Sequence, residues 1–155
     1  MAKAGEQSGF TLIELLVTMA LIVIIATVAV PNFSGLVNDS RLTTLTNNLN
    51  ATLRLARSEA IKRNHSLTLC GLGKCGNDWS SGWQLVTAKT QGTVIRRHPV
   101  RDEGVNIVTG APIIFNSFGR PTGASSRCLT LSVDGQSQTL QVAPSGSITA
   151  VDTCP

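Results

Sequence analysis

Residues 10–30, FTLIELLVTMALIVIIATVAV, form an apolar run of 21 residues closed by Pro31, with Glu14 as its only charge. As an α-helix such a run is about 31 Å long, close to the roughly 30 Å hydrocarbon core of a bilayer. A membrane-spanning helix is therefore expected over residues 10–30, making the chain a single-pass membrane protein. Glu14 is the anomaly, because a charge inside a spanning helix is costly and needs a partner. A secretory signal peptide cut near Ala29 is the plain alternative. It is disfavoured: residues 1–9 hold one Lys and one Glu, and an apolar signal segment has no use for Glu14.

The remainder of the 155-residue chain is long enough for one domain. Over all 155 residues, 42% hydrophobic and 14% charged argue against a disordered chain. Pro31 and Gly35 predict a kink or break near residues 31–35. Beyond it Leu42, Leu45, Leu49, Leu53, Ala56 and Ala60 recur at spacings of three and four, one stripe of an amphipathic helix. Asp39 or Ser40 is the expected local cap and Asn64 the expected stop, with Lys62 and Arg63 at the negative end of the helix dipole. Short β-type runs then follow at 67–70, 83–88, 93–97, 105–108, 113–116, 128–133, 139–143 and 147–151. Asp134-Gly135 reads as a tight hairpin. The expected fold class is α+β: a long N-terminal helix, half transmembrane and half amphipathic, packed on a mostly antiparallel β-sheet head. The amphipathic continuation covers 31–64 and the head 65–155.

Four cysteines fit either two disulfides or a metal site. With the head exported, disulfides are expected. Cys70-x4-Cys75 can close a short loop, leaving Cys128 and Cys154, although four cysteines allow three connectivities. A zinc site with His65 added is the weaker reading, because one C-x4-C and two scattered cysteines lack the usual duplicate spacing.

No nucleophile elbow, phosphate-cradling glycine motif or paired histidine is present, so no enzyme and no cofactor are expected. His65 and His98 are isolated, and Asp102 and Glu103 sit together in an expected turn. From residue 32 onward twelve Lys+Arg face seven Asp+Glu. Arg96, Arg97 and Arg101 form a local cluster that would support only weak, salt-sensitive contact with DNA.

Gly9-Phe10-Thr11-Leu12-Ile13-Glu14 resembles the processing signal of type IV pilins and pseudopilins. That resemblance implies cleavage by a prepilin peptidase after Gly9, loss of residues 1–9 as a leader, and N-methylation of Phe10. It also implies an assembly role for Glu14, whose carboxylate would pair with the new amine of a neighbouring subunit's first residue. The segment Ala56-Arg57-Ser58-Glu59-Ala60-Ile61-Lys62-Arg63-Asn64 is similar to the helix end of FimT/FimU minor pilins and GspH minor pseudopilins. Leu67-Thr68-Leu69-Cys70, Gly82-Trp83, Ile114-Phe115-Asn116 with Gly119, and Pro144-Ser145-Gly146 follow in matching order.

The implied function is a minor pilin, a structural subunit that primes type IV pilus assembly near the tip. Its implied partners are major and other minor pilins, the prepilin peptidase and the inner membrane, with the head in the periplasm. A minor pseudopilin of type II secretion is the alternative. DNA-binding FimT-type pilins carry G-R-x-R after the Pro-Ser motif. Here Ser147-Ile148-Thr149 follow Gly146, so a DNA-uptake role is not favoured.

Overall fold

The computed structural model describes residues 10–87, 92–101, 104–109, 111–123 and 125–154, without the side chains of 28–34, 108 and 109. The expected leader, residues 1–9, and Asp102 and Glu103 lie outside the described residues, as does the side chain of Pro31, on which the expected kink rests. The chain divides into two compact units, Met1–Val37 and Asn38–Pro155.

Helix α1, Leu12–Arg63, is assigned as one element of 52 residues. Its cap is Thr11, whose Oγ1 accepts a hydrogen bond from the Glu14 N–H at 3.3 Å. Asp39 and Ser40, expected as caps, lie inside the helix instead. In the first unit every described side chain from residue 10 to 27 is exposed.

The membrane-spanning half is corrected by the structure. Among the described residues no helix is long and apolar enough to cross a membrane. The single-pass inner-membrane placement with a periplasmic head falls with that expectation.

In the second unit the stripe Leu42, Leu45, Leu49, Leu53, Ala56 and Ala60 is buried, as its spacing demands. The helix stops at Asn64, which takes φ of 49°. Asn64 N–H donates to the Ile61 carbonyl at 3.1 Å and His65 N–H to that of Ala60 at 3.2 Å. This double closure satisfies carbonyls that the helix end leaves free.

The strands are β1 (Leu67–Gly71), β2 (Gly82–Val86), β3 (Val94–Pro99), β4 (Val105–Thr109), β5 (Ile113–Phe115), β6 (Arg127–Val133), β7 (Gln136–Val142) and β8 (Ile148–Val151). They form two antiparallel four-stranded sheets, ordered β3-β2-β1-β5 and β4-β6-β7-β8. Val133 pairs with Gln136, so Asp134 and Gly135 make a two-residue turn with φ of 46° and 87°. Positive φ at both positions suits the right-handed twist of the flanking strands. Strand β7 begins earlier than its apolar pattern suggests, because the hairpin register carries the exposed Gln136, Ser137 and Gln138 into the ladder.

Side chains from α1 and both sheets share one buried cluster, including Leu53, Leu85, Phe115, Leu131 and Val142. Trp83 is fully buried within it, and its Nε1 donates to Thr52 Oγ1 at 3.2 Å. Every residue of β1 and β2 is buried, so both faces of these strands are covered. One face meets the shared core. On the other, Cys70, Cys75 and Val86 form a second small cluster with Val94.

Candidate functional site

Phe10 and Glu14, the residues expected to serve processing and assembly, sit at the start of α1. Phe10 is 79% exposed, and Glu14 is exposed one helical turn further on. The ion pair found among the described residues joins Arg63 to Glu59 at 2.7 Å, so Glu14 has no cationic partner there. Its neighbours Leu12, Ile13, Leu15 and Leu16 are all more than half exposed.

The cysteines are all oxidised. Cys70 pairs with Cys75, and Cys128 with Cys154. Sulfurs joined in disulfides cannot serve as thiolate ligands. Among the described residues no group of His, Cys, Asp or Glu could hold a metal ion. The second bridge ties β6 to the tail beyond β8, with β7 between those strands.

The basic cluster of the sequence is divided in space. Successive residues of a strand face opposite sides. Arg97 lines a shallow pocket with Cys75, Gln84 and Val94 on the disulfide side. His98, one residue on, stacks on the Trp83 ring at a centroid distance of 4.3 Å. Burial, and secondly the charge of Arg96, hold the His98 pKa below its ordinary value. Arg96, Arg97 and Arg101 are all exposed, and Arg96 and Arg97, adjacent on β3, turn to opposite faces.

A tighter constellation lies where α1 meets the β7–β8 turn. Arg57 Nη1 donates to the Gly146 carbonyl oxygen at 2.7 Å. Gly146 has φ of 82°, and a Cβ there would run into the carbonyl oxygen of Gly119. A Cβ on Gly119 (φ 71°) would in turn crowd the side chains of Arg57 and Ile61. Two glycines therefore let two loops close on one helical arginine. In the sequence Arg57 simply falls outside the buried stripe of α1. No local pattern reports a partner 89 residues away.

Beside this contact lies an open cleft of ≈ 500 Å³, lined by Arg54, Arg57, Ser58, Ile61, Ser147 and Ile148. Its hydroxyls are not poised for nucleophilic attack. Ser58 Oγ donates to the Leu55 carbonyl at 3.0 Å, and Ser147 Oγ pairs with Ser145 Oγ at 3.2 Å. Neither faces a general base, which such attack requires. The arrangement can bind, through guanidinium groups and apolar side chains.

The profile of the type II transport protein GspH matches residues 45–146, from within the buried helical stripe to the glycine that receives Arg57. That of the prokaryotic N-terminal methylation motif matches residues 6–30. No curated protein matches the chain. Two crystal structures of the type IV minor pilin FimU from Pseudomonas aeruginosa PAO1 share the fold. The first has a TM-score of 0.62 at 20% identity, covering 76% of this chain and 97% of that one. For the second the TM-score is 0.60 at 21% identity, with 71% and 92% covered.

Proposed function

We propose that this chain, which belongs to the GspH family of type II transport proteins, is a non-catalytic fibre subunit: a minor pilin that primes type IV pilus assembly near the tip. The observation that carries this reading is the first part of α1. Its apolar side chains from Leu12 to Ile25 are exposed around the helix, with one charge, Glu14, among them. Large contiguous apolar surface of this kind is a contact surface. Packing among the like helices of neighbouring subunits would cover it. Cleavage after Gly9 and methylation at Phe10 would supply a cationic amine, and Glu14 is the carboxylate available to a neighbour's amine. That pairing would make the buried charge a register marker.

A second reading, a minor pseudopilin of type II secretion, is favoured by the family profile itself. Deleting the gene and scoring surface pili and protein secretion side by side separates the two. Loss of pili with secretion intact supports the minor pilin. The reverse supports the pseudopilin, and an effect on neither sinks both. A DNA-receptor role has less support, because Ser147 and Thr149 stand where the DNA-binding pattern has arginines and the cluster on β3 is divided.

A further inference from the structure

We propose that the cleft between α1 and the β7–β8 turn is a docking site for a segment of another protein subunit, one carrying a carboxylate close to a large apolar side chain. The proposal deepens the assembly reading and rests on it only in taking the partner to be a fellow subunit. Arg54 and Arg57 are three residues apart on α1, so they share a helix face. Both guanidinium groups are already held. Arg54 Nε donates to Asn50 Oδ1 at 2.9 Å, and Arg57 Nη1 to the Gly146 carbonyl at 2.7 Å.

Neither arginine meets a carboxylate among the described residues. The acid on the same turn of helix, Glu59, is engaged by Arg63 at 2.7 Å. Each fork keeps N–H donors to spare in a fixed orientation, which matches the planar geometry of a carboxylate. Prior immobilisation also lowers the entropy lost on binding.

Apolar surface lies beside these cations. Ile61 is 50% exposed although it lines the cleft. Phe118, next in the chain to the Gly119 that abuts Ile61, is 80% exposed. A nucleic-acid backbone would satisfy the arginines and leave both apolar groups in water. An acidic segment with an apolar anchor satisfies all of them. The charge of the unit 38–155, twelve basic against seven acidic residues, draws such a partner in.

The test uses the full chain in detergent and a fluorescein-labelled dodecapeptide of alternating Glu and Leu pairs. Control peptides replace Glu by Gln or Leu by Ser, and a short DNA duplex is the competitor. The acidic–apolar peptide should bind saturably, and Arg54→Glu should weaken it by about tenfold or more, since a hydrogen bond to a charged group is lost. Arg54→Gln should weaken it less, and Arg101→Glu, outside the lining of the cleft, should leave it unchanged.

Equal binding of the Gln peptide, displacement by the duplex, or indifference to Arg54→Glu would overturn the docking site. Fibre incorporation of the wild-type chain is scored separately. If peptide binding fails while the chain enters fibres, the docking site falls and the assembly reading stands. If binding holds while the chain never enters fibres, the assembly reading falls alone.

Discussion

Arg57 and Gly146 are joined by a 2.7 Å hydrogen bond that pins the β7–β8 turn to the last turns of α1. Gly146→Ala should destabilise the head by at least about 2 kcal/mol. A left-handed backbone penalises a side chain by about 1–2 kcal/mol, and the new methyl also meets the Gly119 carbonyl. Arg57→Met should cost about 1.5–3 kcal/mol, the range for a hydrogen bond to a charged donor. Guanidinium unfolding of each variant measures both, and a near-neutral Gly146→Ala would contradict the close approach.

Thr52 and Trp83 test the helix–sheet contact in the core. Thr52→Val keeps the volume and removes the acceptor for the buried indole N–H. The expected loss is about 1–3 kcal/mol, the cost of an unsatisfied buried donor. Chemical unfolding that finds no loss would show that the bond is replaced.

The two disulfides should differ in worth. Cys128–Cys154 spans 26 residues and Cys70–Cys75 spans five. In the chain-entropy account the longer loop stabilises by about 1.5 kcal/mol more. Paired Cys→Ser variants compared in guanidinium should therefore lose more stability at 128 and 154. The opposite ranking would mean that the shorter bridge matters chiefly by covering the outer face of β2.

His98 makes the head sensitive to acid. Its folded pKa is lowered, first by burial and then by Arg96, from the usual 6.5. As pH falls below about 6.5 the unfolded chain takes up this proton first, so the unfolded state binds more protons and stability declines. The decline continues until the folded imidazole also protonates. His98→Phe keeps a ring against Trp83 without a titrating group. Its melting temperature should fall less steeply with acid, and an unchanged slope would exclude His98 as the cause.

The fold was legible where it rests on local periodicity. The stripe from Leu42 to Ala60, the stop at Asn64 and the Asp134-Gly135 turn each follow from a few neighbouring residues. Division of the strands into two sheets was not legible, because alternation along a strand says nothing about its neighbours. The same limit hid the Arg57–Gly146 bond. It also made Arg96 and Arg97 look like part of one patch, when pleating turns these two successive residues of β3 to opposite sides. The apolar run of residues 10–30 was read by length as a membrane span, an expectation the described helix does not meet.

The most direct test of the assembly account is the composition of sheared, purified fibres, probed by mass spectrometry for this chain and for its Glu14→Ala variant. The account predicts wild-type chain in the fibres with a methylated Phe10 at its N-terminus. It predicts that Glu14→Ala is missing from them while its head still forms both disulfides. Glu14→Ala in fibres at the wild-type level, or no wild-type chain in any fibre fraction, would contradict it.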